Sequence, residues 1–141
     1  MLKKLKYIIC FFLIIITINS CKKDKEEYVP YVYVDEYINI TLPKYNPLNA
    51  IGGWMYLEGG SQGLIVYRLT NENFNVYDRH CPYNPKDNCV ADIDSSGIMI
   101  LDKCSGSEYS MLDGGSTKGP GVLPLKAYQT TFDGQVLHIY N

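Results

Sequence analysis

The sequence lacks the patterns expected of most enzymes. No segment has sustained helical periodicity, no internal repeat is present, and no glycine-rich loop of the phosphate-binding type occurs. The spacing of its serines, acidic residues and two histidines matches neither a nucleophile elbow nor a hydrolase triad. We therefore expect a protein that is not an enzyme.

Long hydrophobic runs are also missing, apart from one near the N-terminus. Residues 7–18 are apolar over about a dozen positions, which is short of the roughly 20 residues that a membrane-spanning helix needs. Lys3, Lys4 and Lys6 precede this run, as in the positive n-region of a signal peptide. Residues 1–20 are therefore predicted to be a lipoprotein signal peptide and are set aside from the fold.

The end of this segment resembles the bacterial lipobox. Residues 18–21 read Ile-Asn-Ser-Cys, with an aliphatic residue, a small residue before the cleavage point and the obligatory Cys21. The resemblance implies lipidation of Cys21 and anchoring at the bacterial outer membrane, on its periplasmic or cell-surface face. The alternative is an ordinary signal peptide with an incidental cysteine.

A short charged tether follows, because residues 22–27 are too polar to pack. We assign residues 21–32 to the lipidated cysteine with its tether and residues 33–141 to a single β domain. A lysine followed by acidic residues just after Cys21 also resembles the surface-export signal of lipoproteins in some Bacteroidetes-type bacteria.

The charge balance excludes nucleic acid as a partner. Once the three leader lysines are removed, ten of the 13 basic residues remain against 15 acidic ones, a net charge of −5. Phosphate backbones are bound by clustered lysine and arginine, which this chain does not have.

The rest of the chain predicts short strands separated by turn residues. Asp133-Gly134 is the strongest hairpin signal, and residues 63–69 are nearly continuous in apolar side chains, as in a strand buried on both faces. The fold class is therefore all-β, a small antiparallel sandwich or barrel. The predicted strands are residues 37–42, 54–58, 63–69, 74–78, 98–101, 109–112, 126–132 and 136–140.

Three cysteines remain after the leader and the lipidated Cys21 are set aside. They are Cys81, Cys89 and Cys104. In an exported protein thiols tend to pair, so we expect at most one disulfide within the chain and one free thiol.

The first cysteine-containing loop includes Cys81-Pro82-Tyr83, the second continues from Cys104 as Ser105-Gly106-Ser107-Glu108-Tyr109, and a later loop has Gly119-Pro120 followed by Pro124-Leu125. These three loops resemble those of the Rieske iron–sulfur family, and the resemblance covers about residues 50–141. The family has a Cys-x-His loop, a Cys-Pro-x-His-Gly-Ser-x-Tyr/Phe loop and a Gly-Pro-x-x-x-Pro-Leu loop. The resemblance implies a Rieske-like domain with a loop-rich, cluster-binding subdomain. It also implies that five residues support the cluster-binding loops: Ser107, Tyr109, Gly119, Pro120 and Pro124.

The cluster ligands themselves are mostly replaced. A Rieske centre needs two cysteine thiolates and two histidines. Of the implied ligand positions only Cys81 keeps its residue type, while Tyr83, Asp102 and Ser105 stand where histidine, cysteine and histidine belong. Oxygen donors are poor substitutes for that set, so we expect neither a [2Fe–2S] cofactor nor another metal.

The two histidines are not expected to restore the site. His80 directly precedes Cys81, so the two side chains point to opposite faces of an extended chain. His138 lies on the outward face of the last predicted strand. We expect both to be surface or edge histidines.

The resemblance also implies the disulfide. Many Rieske domains join the two loops by a bridge between residues next to the ligands, and Cys89 and Cys104 fit those partners. The alternative is a Cys81–Cys104 pair. In the first case Cys81 is a free thiol, either buried and inert or exposed and reactive.

We expect a lipid-anchored binding or structural module of the cell envelope whose partner is an envelope protein that the sequence does not specify. The alternative is an electron-transfer protein with an atypical iron or [2Fe–2S] centre, in which Ser107 and Tyr109 would support the cluster. A weaker third hypothesis, glycan or peptide binding, depends on Tyr31, Tyr33 and Tyr37. The acidic residues Asp87, Asp92 and Asp94 predict a solvated loop rather than a calcium site.

Overall fold

The computed structural model describes residues 28–141, which contain ten β-strands. Residues 1–27 lie outside this description, and with them the predicted signal peptide and the lipidation site Cys21. The strands are β1 Asp35–Asn39, β2 Trp54–Leu57, β3 Leu64–Arg68, β4 Phe74–Asp78, β5 Asp92–Ile93, β6 Met99–Leu101, β7 Glu108–Ser110, β8 Ser116–Lys118, β9 Ala127–Phe132 and β10 Val136–Tyr140.

Six strands form one antiparallel sheet in the order β1-β10-β9-β4-β3-β2. The predicted hairpin at Asp133-Gly134 is confirmed, since it joins β9 to β10. Asp133 Oδ1 accepts hydrogen bonds from the backbone N–H groups of Gln135 and Val136, and Gly134 has a φ of +99° that favours glycine. Strand β9 joins the two halves of the sheet through its pairing with β4.

A smaller antiparallel sheet, in the order β5-β6-β7-β8, is inserted between β4 and β9 of the larger one. Its strands are two or three residues long, so much of this part of the chain is loop. The prediction of an all-β, antiparallel fold with a loop-rich subdomain is confirmed.

The larger sheet is covered on both faces, which explains the continuous apolar run of β3. Leu64 and Val66 face one core cluster, whereas Ile65 and Tyr67 face the other, and all four are buried. Successive strand residues point to opposite faces, so only a strand covered on both sides buries every one of them. The second cluster contains Ile100 and Tyr109 of the smaller sheet and therefore fixes that sheet to the larger one.

The predicted elements differ from the structure in the first strand and in the shortest strands. Strand β1 begins and ends earlier than predicted, and the segment between the first two predicted strands contains the 3-10 helix Pro43–Asn49. Pro43 fits there because the first turn of a helix needs no donated hydrogen bond from its N–H. Strands β5 and β8 were missed, because two or three residues are too few to show alternation.

The residues before β1 lie against the end of the chain. Asn141 Nδ2 donates to Val32 O, and the Asn141 side-chain oxygen accepts from Val34 N. Lys126 Nζ also donates a hydrogen bond to Pro30 O, at 3.1 Å. Among residues 28–141, no helix has the length and hydropathy needed to cross a bilayer.

Candidate functional site at the loop tip

Three loops meet at one end of the smaller sheet and form what we call the tip: residues 79–91, 102–107 and 119–126. Cys81 N donates to Cys89 O at 3.0 Å, which closes the first loop on itself. Gly121 N donates to Ser107 Oγ at 2.8 Å, which ties the third loop to the second. The sequence motifs that are distant along the chain are thus adjacent in the fold.

A disulfide joins the first two loops. Cys89 and Cys104 are bonded, with their Cα atoms 6.2 Å apart and a sequence separation of 15. The predicted pairing is confirmed, and the alternative Cys81–Cys104 pair is wrong. Because the bridge uses both sulfurs, neither can act as a metal-binding thiolate.

Cys81 is a buried free thiol. Its side chain is fully inaccessible to solvent. Burial, reinforced by the nearby Asp102 carboxylate, raises the pKa of the Cys81 thiol to about 12. The thiolate is the reactive and metal-binding form, so at neutral pH this side chain behaves as a small apolar group.

Asp102, Ser105 and Ser107 bind one another. Ser105 Oγ donates to Asp102 Oδ2 at 2.6 Å and lies 2.8 Å from Ser107 Oγ. Asp102 Oδ1 accepts from the backbone N–H groups of Cys104 and Ser105. The predicted positions of a cysteine and a histidine ligand are therefore occupied by a closed hydrogen-bond network of oxygen atoms.

Tyr109 adds one unpaired polar atom to this network. Its hydroxyl is buried and has no hydrogen-bond partner among residues 28–141. Burial raises the pKa of Tyr109 to about 12. A Cβ added at Gly121 would contact this hydroxyl and would lie 3.0 Å from Ser107 Oγ. The third tip loop can therefore lie this close to Ser107 and Tyr109 only because residue 121 has no side chain.

The other predicted tip residues lie at or near the surface. Tyr83 is 36% exposed, beside Gly121, and Gly119 and Pro120 begin the third loop. Pro124 lines an apolar groove of about 280 Å³ with Tyr28 and Pro82. Val122 is 83% exposed and was not singled out from the sequence.

The prediction that His80 lies at the surface is wrong, since its side chain is buried. It does point away from Cys81, but the loop at residues 59–63 covers that side. His80 Nε2 lies 2.7 Å from Pro85 O, and Nδ1 lies 2.8 Å from Ser61 Oγ. A carbonyl only accepts, so Nε2 carries a proton, and in the neutral imidazole Ser61 Oγ then donates to Nδ1. Both nitrogens are satisfied within the protein, which argues against a metal ligand.

Asp78 is a buried carboxylate that sequence reasoning missed. It accepts hydrogen bonds from Ser61 N, Gln62 N and His80 N, at 2.7, 3.2 and 2.9 Å, and from Tyr128 Oη at 2.8 Å. It therefore joins the loop at residues 59–63 and strand β9 to the first tip loop. An aspartate at the end of a strand is usually a turn residue, so no pattern indicated this role.

His138 is partly exposed on the outward face of β10, as predicted, although β10 is flanked by β1 and β9 and is not an edge strand. Its ring is stacked between Tyr37 and Tyr140, with centroids 3.9 and 4.6 Å away, and its Nε2 lies 2.7 Å from Asp35 Oδ1. The three tyrosines singled out from the sequence are all exposed. Their exposed fractions are 72% for Tyr31, 69% for Tyr33 and 66% for Tyr37.

The acidic residues of the small sheet do not form a calcium site. Asp92 pairs with Arg79 and Lys103, at 2.6 and 2.7 Å. Asp94 accepts hydrogen bonds from Ser96 within its own turn. Within the described part of the chain, one group of potential metal ligands lies close together, Cys89, Asp102 and Cys104, and its two sulfurs form the disulfide.

No known protein-family model matches the chain, and no curated protein sequence matches it. The plasma membrane Rieske protein PetC3 of the cyanobacterium Synechocystis is similar in structure, with a TM-score of 0.55 and 17% identity, over 79% of this chain and 100% of that one. The chain has a Rieske-type fold. The ferredoxin of carbazole 1,9a-dioxygenase from Nocardioides aromaticivorans is also similar, with a TM-score of 0.50, 15% identity, and coverage of 78% and 98%.

The side chains of this Rieske-type domain do not fit a Rieske cluster. That cluster takes two thiolates and two imidazoles. The four corresponding positions offer one thiol with a raised pKa, Cys81, and the oxygen atoms of Tyr83, Asp102 and Ser105. The nearby His80 is turned away and bonded elsewhere. The donor set has the wrong chemistry, and its buried members already satisfy one another.

Proposed function

We propose that this protein is a lipoprotein of the bacterial envelope, anchored through Cys21 at the outer membrane, whose Rieske-type domain has lost its iron–sulfur cluster and acts as a binding or structural module. The observation that carries the proposal is the network of Asp102, Ser105 and Ser107, whose oxygens bond to one another where ligands would stand. Such a network stabilises the loops by hydrogen bonds instead of metal–ligand bonds.

The tip retains the features that a rigid binding surface needs. The Cys89–Cys104 disulfide and the Asp78 hydrogen bonds hold the first loop in place from two sides. Tyr83 and Val122 remain accessible at its surface. Ordered loops lose little entropy on binding, so a tip of this kind favours recognition of a partner in the envelope.

The test is the iron and sulfide content of the mature, full-length protein, purified anaerobically in detergent after expression with iron–sulfur assembly factors. We expect a colourless protein without stoichiometric iron or sulfide. The contrast is the variant Tyr83→His/Asp102→Cys/Ser105→His, which restores the family's ligand types around Cys81. If this variant shows charge-transfer bands and the unsubstituted protein does not, the three substituted residues account for the loss of the iron–sulfur cluster.

The membrane part of the proposal needs a separate measurement. Mass spectrometry of the mature chain should find a diacylglyceryl group on Cys21, and Cys21→Ser should abolish both the modification and membrane retention. If the mature chain is cleaved elsewhere and carries no lipid, the proposed anchor is refuted. The proposed loss of the cluster is not affected by that result, because it is tested by the iron content.

A second candidate, an electron-transfer protein with an atypical iron centre, is favoured by one observation. The buried Tyr109 hydroxyl makes no hydrogen bond to any group of the described residues 28–141, and a buried polar group without a partner costs free energy unless something else satisfies it. Stoichiometric iron with visible absorbance in the unsubstituted protein would support this candidate and overturn the first.

A further inference from the structure

The tip exposes apolar side chains on the side where the N-terminal segment, residues 28–30, lies against it. Val122 is the most exposed large apolar residue of this end, and Leu123 next to it lines the apolar groove. Tyr28 and Val29 line the same groove. The first residues that the structure describes therefore lie directly against the tip, rather than at the far end of the domain.

The position of Tyr28 limits how far the tip can lie from the lipid anchor. Only residues 22–27 separate Tyr28 from Cys21. A chain extends by at most about 3.6 Å per residue, so the two Cα atoms are no more than about 25 Å apart. The hydrogen bond from Lys126 Nζ to Pro30 O holds residues 28–30 against the tip. It therefore limits rotation of the domain relative to the tether at residue 28.

We infer that the tip faces the membrane that carries the anchor and that Val122 and Leu123 contact the lipid surface. This inference rests on the proposed lipidation of Cys21. A short tether that ends at the tip presents these side chains to the bilayer, and their transfer into the interfacial region removes apolar area from water.

The domain offers a matched control at its other end. Ile98 is a β-branched residue with 62% exposure, in the turn between β5 and β6. Strand β6 runs from this turn to the tip loop at residues 102–107, so Ile98 lies at the end of the smaller sheet opposite the tip. Contact with the bilayer should therefore distinguish Val122 from Ile98, although the two side chains are chemically similar.

The experiment uses the full-length lipidated protein in phosphatidylcholine vesicles with brominated acyl chains. Val122→Trp and Ile98→Trp are made separately, and the unsubstituted protein, with its single native Trp54, supplies the background. We expect brominated lipid to reduce the fluorescence of Val122→Trp and to leave that of Ile98→Trp unchanged. An intact disulfide and an unreactive Cys81 in each variant show that the fold is preserved.

The outcomes separate this inference from the function on which it rests. If mass spectrometry finds no lipid on Cys21, the anchor and the inference fail together. If the lipid is present but neither tryptophan is quenched, the anchor stands and the orientation of the tip is refuted. Quenching of Ile98→Trp alone would also overturn the proposed orientation of the tip. The same holds if Val122→Trp is not quenched and position 122 instead crosslinks to a protein.

Discussion

Removal of the Cys89–Cys104 disulfide should be the most informative perturbation of stability. The bridge joins two residues separated by 15 positions in the sequence and so closes a loop of about that length. In the chain-entropy model, closing a loop of that length stabilises a protein by about 3 kcal/mol, mainly because the unfolded chain is restricted. Cys89→Ala/Cys104→Ala should therefore lower the free energy of unfolding by that amount.

The assay is urea unfolding followed by circular dichroism, for the unsubstituted protein and the double variant. For a domain of about this size each kcal/mol shifts the melting temperature by about 4 °C, so thermal unfolding should shift by about 12 °C. The dependence of the free energy on urea should also become steeper, because the unfolded state of the variant is less compact.

Cys81→Ala is the control, since Cys81 is buried and takes no part in the bridge. It should cost about 1 kcal/mol through lost packing and leave the disulfide intact. The thiol of the unsubstituted protein should react with a thiol reagent only after unfolding, because its pKa is raised to about 12. A double variant as stable as its parent, or a new reactive thiol in Cys81→Ala, would refute the reasoning.

Three further predictions concern other parts of the site. Asp78→Ala should cost about 4 kcal/mol in urea unfolding, because it leaves buried backbone donors without their acceptor. Gly121→Ala should cost about 2 kcal/mol, since the new methyl group would collide with the Tyr109 hydroxyl. The hydrogen bond from Lys103 lowers the pKa of Asp92, so this pair stabilises the fold above the ordinary aspartate pKa of about 4, and its contribution is lost as the pH falls through the lower, folded value. Asp92→Asn should remove this dependence, which lies below about pH 5, and the change should be small because Lys103 is exposed and the pair is screened by solvent.

Each of these predictions has a control at a neighbouring position. Asp94→Ala removes a carboxylate that bonds only within its own exposed turn, and the urea midpoint should hardly change. Gly106→Ala adds a methyl group with open space around it at a φ of +79°, so only backbone strain of about 1 kcal/mol is expected. Lys103→Gln should weaken this pH dependence without abolishing it, because Arg79 still pairs with Asp92. Equal losses at Asp78 and Asp94, or at Gly121 and Gly106, would contradict the proposed contacts.

The all-β class and the hairpin at Asp133-Gly134 could be predicted because they depend on local properties. Turn chemistry and two-residue alternation act over a few neighbouring positions. Strands β5 and β8 could not be predicted, since pairs or triplets of residues become strands only when a neighbouring strand supplies their hydrogen bonds. The disulfide followed from the family resemblance and not from the spacing of the cysteines.

What the sequence by itself determined is the chemistry at each position of the tip: one thiol, and oxygen donors at Tyr83, Asp102 and Ser105. Only the tertiary structure decided which of these groups are satisfied and where they face. His80 is buried because a loop about 20 residues earlier covers it, and Asp78 is paired with Tyr128, 50 residues later in the chain. Such contacts follow from the pairing of strands that are distant in the chain and from the loops at their ends, which no local pattern encodes.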